Sequence, residues 1–350
     1  MNSNTQDQAT APVFPYAHKL FAVLSGCAYG DAWGNTNEFK SYGQLTRTSK
    51  LGPELPARLV ITDDTQMTLS LARAIHTAGT TDHAELRKAI IAEYVEWLRD
   101  PDNNRAPGNT CLSATRALAA GTRWTRATVV ASDGCGTVMR TSPAAFLPGN
   151  LWRPVAAWQA AITHGKASGI AAALVTTAVI REALRGFVRP GTSVAYAIEL
   201  ASHPALRAGV GEWLVGHPQA PTVHDADAFL ATGLHEVVDA LQRAHSAVPA
   251  FQSDPWANDP CRFAGDGWRA QEALATALLC IDALPSDPIA ALRRATVTGG
   301  DSDSIAAVAG AILGAAQNEN PWPAQWAHRL EPRYRAWIAD AANYRLGDPE

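Results

Sequence analysis

Apolar residues recur at helical spacing along almost the whole chain. The segment 64–79 is typical, since Met67, Leu71 and Ile75 form one apolar stripe when the segment is helical. The same spacing predicts helices at 19–33, 82–100, 110–121, 154–163, 168–185, 192–201, 204–215, 225–244, 268–283, 287–296, 303–317 and 323–341. Strand-like alternation is nearly absent, and only 127–132 could be a short strand or a helix end. The pattern therefore predicts an all-α fold.

Three long segments rich in turn-forming residues separate the predicted helices, at 39–60, 99–109 and 246–267. Long loops in a compact helical domain commonly carry binding residues. No repeat with a period of about 20–50 residues is evident, which disfavours a solenoid. We therefore expect one domain over residues 16–345, preceded by a flexible tail at 1–15.

Composition and charge narrow the class of protein. The 350 residues are 47% hydrophobic and 18% charged, which is ordinary for a globular protein with a sizeable core. The net charge is −4 and no basic cluster is present, so nucleic acid is disfavoured as a partner. The five cysteines are scattered without zinc-site spacing. Because no signal-peptide pattern and no apolar run of ~20 residues is present, we expect a cytoplasmic protein without a membrane partner.

Two helix entrances are unusually rich in acids. Thr-Asp-Asp at 62–64 precedes one predicted helix, and Asp-Ser-Asp-Ser at 301–304 precedes a very apolar one. Helix capping needs one such side chain, whereas each entrance offers two carboxylates and a hydroxyl. These hard oxygen ligands suit Mg²⁺, Mn²⁺ or Ca²⁺ rather than zinc. If the entrances meet, four carboxylates could hold two cations about 3.5–4 Å apart, so both capping and a metal site remain open.

Five blocks of the sequence resemble, in the same order, those of a known enzyme family. They are GCAYGDAWGNTNEF (26–39), TDDTQM (62–67), GCGTVMRTSPAAF (134–146), THGKASG (163–169) and GGDSDSIAAVAGAILGA (299–315). The resemblance is to the ADP-ribosylglycohydrolase family, which includes the dinitrogenase reductase-activating glycohydrolases and the ADP-ribosylarginine hydrolases. It implies an all-α fold with two Mg²⁺ or Mn²⁺ ions in a cleft. It also implies hydrolysis of the bond between ADP-ribose and an acceptor, often a protein arginine.

The resemblance implies roles for individual acids. Six residues match the family's metal ligands: Thr62, Asp63, Asp64, Asp301, Asp303 and Ser304. The family often has Thr where this chain has Ser304, and the hydroxyl is kept. Glu38 is the first candidate for the general base that activates water, and Asp102 is the second. The sequence does not decide between them.

A second group of residues is expected to bind the substrate. Gly134, Gly136, Thr137 and Met139 fall where the family binds the nucleotide, although a G-x-G pattern alone is most often an ordinary turn. Asn109 and His164 complete the predicted substrate-binding set: Gly134, Gly136, Thr137, Met139, Asn109 and His164. Position 166, where the family often has a second histidine, is Lys, so His164 is expected to position substrate rather than catalyse.

An aromatic residue near the second acidic entrance has two interpretations. Trp268 is expected to pack in the core, although an aromatic side chain lining the cleft could instead stack on adenine. The sequence alone favours the core position.

The leading expectation is a metal-dependent hydrolase that acts on an ADP-ribosylated protein, with arginine as acceptor because RAPGNT (105–110) resembles the arginine-type branch. One alternative is a hydrolase of O-linked, serine-type ADP-ribose. Another is an immunity protein that neutralises an ADP-ribosyltransferase toxin by reversal or by occlusion. A third is an inactive structural relative, against which the full set of acids argues, since buried carboxylates without a cation would lower stability.

Overall fold

Helices make up all of the regular secondary structure in residues 16–346, the part of the chain that this computed structural model describes. The α-helices, numbered α1 to α16, are Tyr16–Asn35, Tyr42–Leu45, Asp63–Ala78, His83–Arg99, Asn109–Ala119, Trp124–Ala127, Trp152–Ala161, Ala167–Leu184, Ser193–Ser202, Gly211–Leu214, Val223–Ser253, Cys261–Ala264, Ala270–Ala283, Pro288–Thr296, Ser302–Ala316 and Pro332–Ala341. Short 3-10 helices lie at Cys135–Thr137, Ser142–Phe146, Pro204–Arg207 and Ala324–Arg329. The predicted all-α fold is confirmed. The predicted tail at 1–15 lies outside the described residues.

Several predicted elements differ from the structure; the predicted helix 323–341, for example, is a 3-10 helix at Ala324–Arg329 followed by α16. The segment 127–132 begins at Ala127, the last residue of α6, so the helix-end alternative holds there and the strand alternative does not; Val129 makes a single bridge to His164. The predicted helix 204–215 is a 3-10 turn and the four-residue α10, separated at Gly209, whose φ of 77° lies in the left-handed region. A glycine in that conformation ends a helix rather than continuing it.

The prediction of a loop at 246–267 is wrong over its first third, which is helical. Helix α11 continues through Pro249 to Ser253. Proline normally ends a helix, because its ring removes one hydrogen bond and crowds the preceding turn. Here Val248 and Phe251, on either side of the proline, are both buried, so their packing outweighs the local disruption. Pro249 itself faces solvent.

Helices α1 and α15 approach so closely that their backbones touch. Gly26, Gly30 and Gly34 lie one turn apart on α1 and face α15. A Cβ at Gly30 would lie 2.0 Å from the carbonyl oxygen of Ala306, and one at Gly34 would lie 2.2 Å from that of Ser302. Small residues are therefore required along this contact. The contact also brings the C-terminal end of α1 to the first turn of α15, where the second acidic entrance lies.

We expect Gly30→Ala to lower the free energy of unfolding by about 1–3 kcal/mol, because overpacking forces the two backbones apart. At an unconstrained helical position the same change would be stabilising, by up to about 1 kcal/mol. Gly43→Ala is the matched control, since nothing lies within 4 Å of a Cβ at that helical position. Urea unfolding of both variants measures the difference. A stabilised Gly30→Ala protein would contradict the close contact.

Helix α8 forms the centre of the core. It packs against α7, α11, α13 and α15, and 94% of its residues are buried inside the fold. It is the one described helix that is long and apolar enough to cross a membrane by length and composition. The buried surroundings identify it as a core helix. Around this core, the N-terminal ends of α3 and α15 and the turn after α1 meet at one surface depression.

Candidate active site

A pocket of about 200 Å³ lies where the two acidic helix entrances meet the glycine-rich segment 134–139. Its lining residues are Glu38, Asp63, Asp64, Ala106, Gly108, Asn109, Thr110, Cys111, Gly134, Cys135, Gly136, Met139, His164, Trp268, Asp301, Asp303 and Ser304. The structure therefore brings most of the sequence-predicted site residues together. A larger cavity of about 530 Å³ lies beside α14 and has Arg293 and Arg329 in its wall. It does not join acids from two helix entrances, so it is a weaker candidate for the active site.

The acids that line the pocket crowd one another. Glu38, Asp301 and Asp303 each place a carboxylate oxygen within 4.8 Å of the other two. Burial, followed by the negative charge of Asp303, raises the pKa of Glu38 to about 8. Burial raises the pKa of Asp63 to about 8 and, with the charge of Asp303, raises that of Asp64 well above its usual range. Without a cation, several of these groups hold protons at neutral pH.

Local capping contacts fix the two acidic entrances. At α3, the Thr62 hydroxyl accepts a hydrogen bond from the backbone N–H of Asp64 at 3.3 Å. At α15, the Asp301 carboxylate accepts one from the backbone N–H of Ser304, also at 3.3 Å. The Ser304 N–H also donates to Asp303 Oδ1 at 2.9 Å. Capping and site formation therefore coexist, because the α3 cap is a hydroxyl and the α15 cap uses one oxygen of each carboxylate.

Asp31 is a buried acid that sequence reasoning missed. It accepts hydrogen bonds from the backbone N–H groups of Thr62 and Thr65 at 3.0 and 3.1 Å, and from both threonine hydroxyls. Burial, followed by the charge of Asp303, raises its pKa to about 7. Asp31 thereby ties α1 to the first turn of α3. The sequence feature that could have identified Asp31 is its position as a lone acid between the apolar residues Tyr29 and Ala32.

The donor set fits divalent cations. Asp64 Oδ1 is buried and has no hydrogen-bond partner among the described residues, a cost that a bound cation would remove. The surrounding atoms are carboxylate and hydroxyl oxygens, which Mg²⁺ and Mn²⁺ prefer. The six residues predicted as ligands could hold the cations and stay a prediction: Thr62, Asp63, Asp64, Asp301, Asp303 and Ser304. Of these, Thr62 lies just behind the pocket wall, against Asp31 and Asp64.

We expect the metal-free protein to lose stability as the pH rises from about 6.5 to about 8. Asp31, Glu38 and Asp63 have folded-state pKa values of about 7 to 8, so the folded protein keeps protons that the unfolded chain releases. Buried histidines with lowered pKa values act in the opposite direction, but only below about pH 6.5.

Adding Mg²⁺ or Mn²⁺ should raise the melting temperature more at the upper end of this range, where fewer protons compete for the carboxylates. Thermal melts with EDTA and with each cation, at several pH values, measure both effects. A melting temperature in EDTA that climbs across this range, or a cation effect independent of pH, would contradict the acid cluster.

The glycine-rich segment forms one wall of the pocket. Gly134, Gly136 and Met139 line it. A Cβ at Gly136 would lie 2.9 Å from both Cys111 Sγ and His164 Cε1, so only glycine fits there. Thr137, by contrast, is buried away from the lining, and its hydroxyl donates to the carbonyl of Gly134 at 3.3 Å. The geometry therefore does not support substrate contact by Thr137, because its side chain is buried and hydrogen-bonded within the turn.

Ion pairs hold this segment in place. The Asp133 carboxylate accepts hydrogen bonds from Arg269 Nη2 at 2.8 Å and from Lys166 Nζ at 2.9 Å. Although burial opposes ionisation, these two cations hold the pKa of Asp133 well below its usual range. The backbone N–H of Cys135 also donates to the carbonyl of Trp268 at 3.0 Å. Lys166, where the family often has histidine, is therefore part of the scaffold of the glycine segment.

His164 lines the pocket and is almost fully buried. Its Nδ1 lies 2.8 Å from the hydroxyl of Thr163. Burial, followed by the positive charge of Arg140, lowers the pKa of His164 well below its usual range. The ring is therefore neutral at physiological pH, which suits the predicted positioning role and disfavours a role as general acid.

Asp102 does not line the pocket. Its carboxylate accepts hydrogen bonds from Arg333 Nη1 at 2.7 Å and from the hydroxyl of Tyr334 at 3.1 Å. Arg333 is the main cause of a pKa below the usual range for Asp102. An acid that is stabilised as an anion and bonded elsewhere makes a weak base. The geometry therefore favours Glu38 over Asp102.

Trp268 is not a core residue, so the expectation that favoured packing is wrong. It is 44% exposed and lines the pocket. Its ring stacks on that of Phe39, with the centroids 5.7 Å apart. The short loop 265–268 ahead of α13 carries the tryptophan over the pocket mouth, which residue type alone did not indicate.

Comparison with known proteins places the chain in a family. A family model described as ADP-ribosylglycohydrolase matches residues 15–349. The chain is 31% identical over 184 residues to the ADP-ribosyl-[dinitrogen reductase] glycohydrolase of Rhodospirillum rubrum, across 49% of this chain and 60% of that protein, which is less than two thirds of its length. It is 25% identical over 322 residues to the ADP-ribosylarginine hydrolase Tri1 of Pseudomonas putida (strain GB-1), across 88% of this chain and 73% of that one.

A solved structure supports the same assignment at the level of the fold. A chain from an ADP-ribosylglycohydrolase-related protein complex superposes with a TM-score of 0.62 at 24% identity, covering 95% of this chain and 98% of that one. The family match spans nearly all of the sequence, and the five motif blocks fall within it. The chain belongs to the ADP-ribosylglycohydrolase family.

Proposed function

We propose that this protein is a divalent-cation-dependent hydrolase that releases ADP-ribose from arginine on modified proteins. The observation that carries the proposal is the convergence of Glu38 and the two acidic helix entrances in one pocket with the glycine-rich segment. Arginine is favoured as acceptor because the relative that matches 88% of this chain is named for hydrolysis of ADP-ribosylarginine. An ADP-ribosylated protein is accordingly the proposed partner.

The carboxylates of both entrances would hold two cations, Mg²⁺ or Mn²⁺, with the hydroxyls of Thr62 and Ser304 as neutral ligands. When bound, such cations supply fixed positive charge that orients ribose hydroxyls and acidifies a nearby water. Asp31 is a positioning residue in this arrangement, because it holds Thr62 and the first turn of α3. The paired acids also place negative charge beside an oxocarbenium-like transition state.

Glu38 is the proposed general base. It is only half-buried, and it lies in the turn after α1, so it can reach the attacking water from the edge of the acid cluster. Burial is the first cause of its raised pKa and the negative charge of Asp303 is the second, so neutralisation of that charge lowers the pKa and favours the ionised form that accepts a proton. Glu38 takes one proton as the water oxygen bonds to the anomeric carbon and the bond to the guanidino nitrogen breaks. That nitrogen takes a proton from solvent, and Glu38 then releases its own proton to solvent, so the step balances.

The remaining pocket residues would bind the rest of ADP-ribose. Gly134, Gly136 and Met139 form a wall that ADP-ribose could approach closely. Asn109 begins α5 at the pocket edge. A helix start of this kind favours an anion such as a pyrophosphate. His164, neutral and buried, can donate or accept one hydrogen bond to a ribose or phosphate oxygen.

The test is incubation with an arginine-ADP-ribosylated protein, with Mg²⁺, with Mn²⁺ and with EDTA, while free ADP-ribose is measured by mass spectrometry. We expect release with at least one cation and none with EDTA. Release that EDTA does not reduce, or no release with either cation, would reject the proposal. Preferential release from a serine-linked substrate would instead support an O-linked hydrolase. Reversal of modification by a transferase toxin would use this same chemistry and needs no separate site.

A further inference from the structure

Two aromatic side chains form an exposed stacked pair, in which Trp268 lines the pocket and Phe39 packs on it from outside the lining. Phe39 is 78% exposed and Trp268 is 44% exposed. Their ring centroids lie 5.7 Å apart and their planes are 20° apart. Phe39 also has a φ of 62°, in the left-handed region that bulky residues rarely adopt. An exposed aromatic ring held by an unfavourable backbone conformation indicates a functional rather than a packing role.

The pair lies at the acidic end of the pocket. Phe39 directly follows Glu38, the proposed base. Trp268 belongs to a loop whose Asp266 carbonyl accepts a hydrogen bond from the backbone N–H of Asp301 at 2.8 Å. The pair is therefore anchored on both sides to the carboxylates where the glycosidic bond would be broken. The chemical group that must lie nearest this position, apart from the ribose, is the acceptor side chain.

We propose that Phe39 and Trp268 form a binding subsite for the guanidinium group of the acceptor arginine. A guanidinium is flat and cationic, and it stacks readily on aromatic faces. A serine acceptor is short, neutral and lacks a flat group, so it gains nothing from the pair. This inference rests on the proposed function and names residues that select its substrate.

An adenine ring is the competing occupant, because it would also stack on an aromatic pair. The two occupants differ in one testable respect. Adenine is part of free ADP-ribose, whereas the acceptor is not. Loss of the pair therefore affects binding of free ADP-ribose only if adenine is the occupant.

The experiment uses Phe39→Ala, Trp268→Ala and the conservative Trp268→Phe in the full chain. Phe187→Ala is the matched control, because Phe187 is 57% exposed and packs against Arg185, outside the pocket lining. For each variant, kcat and KM are measured on an arginine-ADP-ribosylated peptide, and the affinity for free ADP-ribose is measured by calorimetry.

We expect both alanine variants to raise KM on the order of tenfold, with kcat and ADP-ribose affinity nearly unchanged. Trp268→Phe should retain most of the wild-type KM, and the control should match wild type. An equal loss in KM and in ADP-ribose affinity would assign the pair to adenine and overturn the subsite. A fall in kcat alone, or no change, would overturn it as well. Absence of turnover by the wild-type protein would reject the proposed function instead, so the two failures are distinguishable.

Discussion

Glu38→Gln is expected to reduce turnover on ADP-ribosylarginine by about 10²- to 10⁴-fold, the usual contribution of a general base. The glutamine keeps the size and hydrogen bonding of the side chain but cannot accept the proton from water. Glu38 is placed to do so, since its carboxylate lies within 4.8 Å of those of Asp301 and Asp303. The affinity for free ADP-ribose should change far less, because the other pocket residues are unaltered.

Single-turnover kinetics and calorimetric binding of ADP-ribose measure the two effects separately. Glu54→Gln is the matched control, since Glu54 is 83% exposed and pairs with Arg293 away from the acidic pocket. The control should behave as wild type. A Glu38→Gln protein that is nearly as active as wild type would place the base elsewhere, and Asp102 would be the next residue to replace.

Asp303→Ala is expected to abolish turnover and cation binding while making the metal-free protein more stable. Even outer partners of metal ligands typically contribute 10–100-fold to activity, so loss of a direct ligand should cost at least about 100-fold. Stability changes in the opposite direction because the charge of Asp303 helps to raise the pKa of Glu38, Asp63 and Asp64. Removing that charge relieves repulsion among the buried acids.

Calorimetric titration with Mn²⁺, the turnover rate and the melting temperature in EDTA together test this prediction. Asp239→Ala, which removes an exposed acid on α11, is the control for the change in net charge. It should leave all three quantities near wild type. If Asp303→Ala kept its affinity for Mn²⁺, or melted at a lower temperature than wild type in EDTA, the acids would not form one repulsive cation site.

The sequence predicts the helices and the meeting of acids well, because both depend on strong local patterns. The apolar stripe at 64–79 becomes α3, and the small-residue run at 303–317 becomes α15. Motif order then indicates that the two entrances share a pocket, as the structure shows. These features follow from the helical period and from the cost of burying charge, which residue spacing makes visible.

Residues whose role depends on distant contacts could not be assigned from the sequence. Asp31 acts through Thr62 and Thr65, which lie more than 30 positions away. Asp102 is bound by Arg333, from the far end of the chain. Trp268 is exposed because a short loop carries it over the pocket, although tryptophan is usually well buried. In each case tertiary packing decides what the residue type leaves open.

We propose that the two acidic helix entrances form one binuclear cation site that acts on ADP-ribose. Its most direct test is anomalous diffraction from crystals grown with Mn²⁺ and ADP-ribose. We expect two anomalous peaks about 3.5–4 Å apart, between the carboxylates of 63–64 and those of 301–303, with the ribose next to them and Glu38 facing the anomeric carbon. Mn²⁺ peaks elsewhere, or ADP-ribose bound away from these acids, would contradict it.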